Sequence, residues 1–522
     1  MGSISGGLSA KASLRDKGVS CENTKYEDIL KRLKAENKKY FDELFPPGSA
    51  SLFYTKALMA EHKETKWMRA DEVFPGQKIL LWSHEDRNLV LRGQFEKLGY
   101  MATAFNAIGS SARCIERIFE GQTYNRHGLY YLRLNHEGIW KYMVIDDYIP
   151  VQRTKKEIIP LFLGVRPPKS KYVELWPFLL QKALAKFYAC YEALMSDNAY
   201  NFIQELTGIV PETLSAHNPL LLPKLQTSFL GPDNIVVGKS SSLSEEYYPL
   251  VESSCFAEEE ALKILPSSAQ ERPTDVAFCE AKKHFNCFAI YTLDDTYFSV
   301  GCIIKQQRGG ISLRKLKVEA LTTCSLSLIQ KDRKHYRNNG YEYVWMRLMV
   351  VMKDVDGYRW IHGAYDKAKI LNCGCVLSAG EYYLLVMGDW GKRVHDVTLN
   401  YQGNSDVQLE RESIAKHPRI MQEIGVDLAQ RFGVCKQINK DLCSYQYVDT
   451  QNGFIIENLN NECSRGVWLQ KSYHLLPLLT NIGVPFTGKG SLEVEIEAGG
   501  SSTVMLKFTE GIDYGFLRDF HF

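Results

Sequence analysis

The 522-residue sequence has almost no surplus charge: 63 basic residues against 61 acidic ones leave a formal +2. That balance gives no reason to expect nucleic acid or an anionic membrane as the main partner. No window holds eighteen uninterrupted apolar residues, so no transmembrane segment is expected. An apolar h-region is missing near the N-terminus, and the 13 cysteines are odd in number and scattered. Both features favour reduced thiols and a cytoplasmic location over a secreted disulfide framework. The opening Met1-Gly2-Ser3-Ile4-Ser5-Gly6 approaches an acylation signal, but Gly6 stands where Ser or Thr is needed. Gly2 therefore reads as part of a flexible tail. There is no Asp-x-Asp-x-Asp-Gly…Glu loop either, so calcium is not expected, and Asp354-Val355-Asp356-Gly357 reads as a hairpin turn.

What is present is an ordinary globular balance, 45% hydrophobic and 24% charged, with length for about three domains of roughly 150 residues. Residues 26–44 have helical periodicity and end before Pro46-Pro47; a helix is expected around Ala57-Leu58-Met59-Ala60. Residues 125–150 read as two β-rich runs around a Glu137-Gly138 turn, with Pro150 stopping the second strand. Residues 174–194 read as an amphipathic helix with Leu175, Leu179, Leu180, Ala183, Phe187 and Tyr191 on one face. Residues 214–280 read as irregular linker with one helix near 257–265, and Glu258-Glu259-Glu260 as its solvated face. From Phe288 the texture is short strands (320–329, 341–352, 382–387) with turns at Asp356-Gly357 and Ala379-Gly380, which favours a sandwich. Residues 405–435 look helical with breaks at Pro418 and Gly425, and residues 453–522 return to strands such as 491–496 and 503–508.

The stretch that organises this chain is Gln94-Phe95-Glu96-Lys97-Leu98-Gly99-Tyr100-Met101-Ala102, leading into an apolar helix through Phe105 and Ile108 and on to Phe119. A helix entered from a Gly turn points its first amides and the positive end of its dipole outward. That field favours thiolate over thiol, yet no cysteine stands there. Cys114, thirteen residues beyond Met101, would lie roughly 220° round the same helix and more than three turns away. It and Cys190 read as small buried groups.

Four ordered blocks make the chain resemble the calpain family. Leu98-Gly99-Tyr100-Met101-Ala102 lies on the family's Leu-Gly-Asp-Cys-Trp; Gly128-Leu129-Tyr130, Gly138-x-Trp140 and Val144 to Pro150 follow its hairpin. Glu174-Leu175-Trp176-Pro177 through Lys186, then Tyr191 to Leu194 and Thr207-Gly208, continue the match. Ser325 to Lys334 and Gly380-Glu381-Tyr382 resemble strands of the sandwich that follows the protease core, and Ala498 to Leu506 resembles a degenerate second copy. The resemblance implies that Met101 stands at the nucleophile position and Phe95, beside Gln94, at the oxyanion position. The family's Asn-Pro-Trp is absent. His217-Asn218-Pro219 reads as a plain turn, since adjacent residues on one loop do not orient a base; His284, before Phe285-Asn286-Cys287, lacks a downstream Asn. A thioether forms no thiolate, so no catalytic residue, cofactor or metal ligand is expected.

The expected fold is α+β: a degenerate papain/calpain-like protease core, a calpain-type antiparallel β-sandwich and a smaller C-terminal β domain. The expected segments are a tail and helix at 1–48, the nucleophile half at 49–213, a degenerate second half or linker at 214–287, the sandwich at 288–404, a helical linker at 405–440 and the last β domain at 441–522. Resemblance to inactive protist members implies a non-catalytic scaffold in the cytoskeleton or in a cilium or flagellum, with cytoskeletal proteins such as tubulin as partners. The alternatives are a cysteine protease using Cys114 or Cys287, and a calcium or phospholipid module in the sandwich. The Lys-rich runs 31–39 and 331–334 read as solvated faces that tubulin's acidic surface would suit. Gly483 to Gly490 fits Gly-x₄-Gly-Lys but lacks the following Ser/Thr and helix, and Cys373-Gly374-Cys375 lacks a second ligand pair, so neither phosphate nor zinc is expected there.

Overall fold

The computed structural model describes residues 19–521, apart from 84–88, 154–156, 167–171, 231–233, 241–246, 254–260, 265–273, 278–280, 307–310, 337–340, 389–394, 440–441, 450–453, 462–466, 474–490, 497–500, 508–515 and the single residues 122, 196, 295 and 356. The chain forms two compact units: residues 1–296 with 332–341, and residues 297–331 with 342–522.

In the first unit, helix α1 (Val19–Glu36) ends eight residues earlier than periodicity suggested, where Asn37 takes φ 49°. Helix α2 (Gly99–Gly109) is the centre of the unit: Met101 through Gly109 are all buried, with Phe105 against Trp176 and Phe202. It does not continue to Phe119. The chain breaks at Ser110-Ser111, and Ser111 Oγ accepts from Cys114 N to start a separate helix, α3 (Ala112–Ile118). The angular argument placing Cys114 on the helix of Met101 therefore falls, because a serine cap competes with helix continuation.

The expected hairpin is present as β1 (Leu129–His136) and β2 (Ile139–Asp146), with Glu137 and Gly138 both at positive φ, 51° and 76°. Two consecutive positive-φ residues match the twist of a two-residue hairpin. Pro150 does not stop a strand; it lies inside β3 (Tyr148–Arg153), opposite Trp67 of the strand Lys66–Arg69. Helix α4 (Trp176–Phe187) is shorter than expected and is not amphipathic: Trp176 through Ala185 are all buried. Ala189 at φ 75° ends it, and a 3₁₀ turn, Tyr191–Leu194, follows. Helix α5 (Ala199–Thr207) is capped by Asn198 and stops at Gly208, φ 69°.

Residues 214–280 are not a linker. They supply strands of an antiparallel sheet whose spatial order is β4 (Glu212–Ser215), β9 (Phe285–Thr292), β5 (Asn234–Ser240), β6 (Tyr247–Ser253), β7 (Ala261–Ile264) and β8 (Thr274–Ala277). Helix α6 (Leu221–Leu230) packs on β5. The helix expected near 257–265 is strand β7 where the structure describes it, and Glu258-Glu259-Glu260 lie outside the described residues.

In the second unit, a four-stranded sheet and a five-stranded sheet share one apolar core, with Leu326, Leu328 and Leu399 from one and Leu348, Leu384 and Val386 from the other. The strands run Thr322–Gln330, Met346–Asp354 and Gly380–Gly388 where 320–329, 341–352 and 382–387 were expected. Asp354 pairs with Gly357 as a hairpin. Helix α7 (Ile420–Phe432) begins after Pro418 and runs unbroken through Gly425, which is buried against the core. Beyond it, the described residues hold seven strands, among them Ser491–Ile496 and Ser501–Lys507. Residues 483–490 lie outside the described residues.

Candidate functional site

The start of α2 is closed. Met101 is 0% exposed, and its sulfur accepts a weak hydrogen bond from Gln181 Nε2 at 3.5 Å. Tyr100 donates its hydroxyl to the Leu194 carbonyl and sets its ring edge-on to Phe202, 5.3 Å between centroids. Phe95 stacks on Phe162 at 5.0 Å and packs against Phe53 and His62. The exposed side chain of Gln94 is turned to Gln152. Asn106, one turn further into the helix, accepts from Val90 N and donates to Val90 O, both at 2.8 Å, which pins α2 to the strand Leu89–Arg92. The helix start is thus built from apolar rings and a thioether, with no ionisable group on Met101 for the dipole to act upon.

Across from α2 lies the six-stranded sheet, with β5 and β6 packed against the helix. Strand β6 reads Tyr-Tyr-Pro-Leu-Val-Glu-Ser, so it brings neither His nor Asn to that face. The histidines singled out by sequence lie elsewhere. His217 is exposed in the turn ahead of α6, where Asn218 Oδ1 accepts from Leu220 N at 2.8 Å and Ser215 Oγ accepts from His217 N. This is the plain turn that the sequence suggests. His284 is exposed at the end of the short helix Ala281–His284, ahead of β9. Cys114 is buried on α3; Cys190 is buried at the start of the 3₁₀ turn rather than on the long helix. Cys287 is half-buried on β9, and burial pushes its thiol up, only partly offset by the charge of Lys239.

Polar chemistry in this unit gathers under the hairpin instead. Lys182, 1% exposed, donates to Asp146 and to the Tyr148 carbonyl; Asp146 also accepts from Asp42 N at 2.9 Å. Lys186 pairs with Asp42 at 2.7 Å, and Arg69 with Asp147 at 2.5 Å. Burial lowers the Lys182 pKa against the pull of Asp146 and raises that of Asp147 against the pull of Arg69. Lys182–Asp146 ties the end of the hairpin to α4, Arg69–Asp147 ties the next residue to the strand Lys66–Arg69, and Asp147 Oδ2 is buried without a hydrogen-bond partner among the described residues. Sequence reading missed Lys182; the signal available was a lysine flanked by Leu179, Leu180, Ala183 and Leu184. Lys334 was misread. It is 2% exposed and donates to Asp332 at 3.0 Å and to Asp197, so it is no solvated face for tubulin, whereas Lys31, Lys34, Lys38 and Lys39 are exposed.

In the second unit, Cys373 and Cys375 are buried on one strand, and Cys375 Sγ meets Cys324 Sγ at 3.5 Å. A cleft of about 670 Å³ lies between the Asp354–Gly357 hairpin and α7, lined by Arg359, Arg419, Glu423 and Asp427 among others. Glu423 accepts from Tyr358 N there.

Comparison with known proteins bears on the first unit. Residues 40–245 match the calpain family of cysteine proteases. The chain is 28% identical over 199 residues to calpain-5 of Caenorhabditis elegans, covering 37% of this chain and 29% of that protein. It is 28% identical over 189 residues to the calpain-type cysteine protease ADL1 of Oryza sativa subsp. japonica, covering 35% of this chain and 8% of that protein. Against calpain-13 of Rattus norvegicus the identity is 25% over 203 residues, 38% of this chain and 29% of the relative. The match thus spans less than a third of each relative's length. The stretch that matches, residues 40–245, includes the helix that buries Met101, the hairpin and the charge cluster beneath it, and over that stretch the chain is similar to the calpain family of cysteine proteases.

Proposed function

We propose that this chain is a non-catalytic member of the family, a pseudo-protease that acts as a structural or scaffolding component of the cytoskeleton, with microtubules or a ciliary axoneme as its setting. The observation that carries the first half is Met101: the position aligned with the nucleophile holds a fully buried thioether. No base can draw a proton from it. Phe95 at the oxyanion position offers rings instead of an amide donor, and the strand packed on the helix carries no His. The rest of the chain then acts as a degenerate core followed by a calpain-type sandwich and a C-terminal β domain, each a surface for docking. The cytoskeletal setting rests on the resemblance to inactive protist members, and the exposed lysines of α1 and the turn after it are the basic surface available to tubulin.

Two measurements test this. The full chain, incubated with a thiol-directed epoxide probe and a peptide substrate panel, is expected to show neither specific labelling nor cleavage. Modification of Cys114 or Cys287 coupled to turnover would reinstate the protease reading. Tagged protein in its own cell is expected to stay with the detergent-extracted cytoskeleton and to co-sediment with microtubules; a wholly soluble pool would end the scaffold reading.

A further inference from the structure

The adjacent His136 and Glu137 converge in the first unit with His335, 199 positions beyond His136. His136 ends β1, Glu137 opens the hairpin turn, and His335 sits in the 3₁₀ turn Arg333–Tyr336. Their ligand atoms face one another: His136 Nε2 to His335 Nε2 is 2.9 Å, His136 Nε2 to Glu137 Oε1 is 3.2 Å, and His335 Nε2 to Glu137 Oε1 is 3.6 Å. A point equidistant from the three lies about 1.9 Å from each, just inside the ~2.0–2.1 Å of zinc–imidazole and zinc–carboxylate bonds. An ion at bonding distance therefore fits slightly off their plane with little movement of the side chains.

We propose that His136, Glu137 and His335 form a three-ligand site for a divalent transition metal of zinc type. The surroundings carry the proposal beyond a chance cluster. His136 Nδ1 lies 3.2 Å from the Tyr188 hydroxyl, and that hydroxyl donates to Asp332 Oδ2 at 3.1 Å. With its proton committed to the carboxylate, the tyrosine oxygen accepts from His136 Nδ1–H. This assigns the tautomer whose Nε2 lone pair points at the cluster, the arrangement by which metal-bound histidines are oriented. Asp332 is itself fixed by Lys334, and its backbone N–H donates to Glu137 Oε1 at 2.9 Å. The neighbouring acidic group of Asp197, Glu205 and Asp332 holds Lys334 as its cation, which separates it from the histidine site. Two imidazoles and one carboxylate select zinc or a similar first-row ion over calcium or magnesium, which prefer oxygen. His136 is 9% exposed and Glu137 17%, but His335 is 33% exposed, so solvent reaches the cluster from the His335 side. The metal's role is a clamp: it joins the turn of residues 333–336 to the hairpin tip within the first unit.

The competing occupant is a single proton shared between the two Nε2 atoms. Untagged full-length protein, stripped with chelator and dialysed, is titrated with zinc against a chromophoric competitor and with cobalt(II) as a visible-absorption probe. The expected result is one equivalent bound per chain, a tetrahedral or five-coordinate cobalt spectrum and a raised thermal midpoint with zinc. His335→Gln, a partly exposed position, is expected to keep the apo protein's circular dichroism and thermal midpoint while losing affinity by at least 100-fold. Tyr188→Phe is expected to weaken binding by 10–100-fold as a positioning residue. Zinc uptake unchanged in His335→Gln would assign the metal to thiols elsewhere and overturn the proposal. So would a wild-type chain that binds no zinc and whose histidine pair titrates as a proton-sharing unit in NMR.

Discussion

The start of α2 and the tip of the β1–β2 hairpin are both turns leading into regular structure, and their chemistry is opposite. At α2 the family pattern leads one to look for reactive groups, and the structure places there a thioether at 0% exposure beside the partly buried rings of Phe95 and Tyr100. At the hairpin the family pattern is close to intact, and buried charges converge beneath it while histidines meet at its tip. A site is defined by polar atoms brought within bonding distance, and helix dipole or turn geometry alone does not supply them.

The comparison can be broken most severely at the charges. Asp146→Ala leaves Lys182 buried without its carboxylate and is expected to cost about 3–5 kcal/mol in urea unfolding of the first unit. A loss under 1 kcal/mol would mean the hairpin does not rest on this pair. Met101→Ala opens a cavity beside Gln181 and is expected to cost about 2–5 kcal/mol, the range for truncating a buried methionine. Gly208→Ala places a Cβ 2.8 Å from Asn135 Nδ2 at φ 69° and is expected to cost about 1–2 kcal/mol. Met101→Cys sharpens the contrast through activity. It creates a buried thiol facing a strand without His, so peptide hydrolysis is expected to stay at background, and measurable turnover would show that a base has been overlooked. The smallest effect is kinetic: with its thiol pushed up by burial, Cys287 is expected to react with iodoacetamide more slowly than exposed Cys435, as read by peptide mass spectrometry.

Much of the nucleophile half was legible. Two β-rich runs around Glu137-Gly138 gave the hairpin, the Gly99 turn into an apolar run gave α2, and Phe105 and Ile108 lie in the core. Misreadings cluster where local and tertiary signals compete. Ser111 caps a new helix that hydrophobic periodicity had merged with the old one. Gly425 stays helical because packing against the sheet outweighs its intrinsic cost of roughly 1 kcal/mol. Residues 214–280 hold strands of only four to seven residues, most paired with their sequence neighbours, and runs that short carry too few residues for a period to register.

What the sequence determined by itself is identity at each position: Met101 has no ionisable proton, Asn-Pro-Trp is absent, and no rearrangement of the chain supplies either. What only the tertiary structure decided is proximity. His136 and His335 are separated by 199 positions, Lys334 and Asp197 by 137, and no local pattern encodes their meeting. Coulombic, hydrogen-bond and coordinate-bond energies depend on ångström distances, and those distances exist only once the hairpin, α4 and the turn of residues 333–336 have packed together.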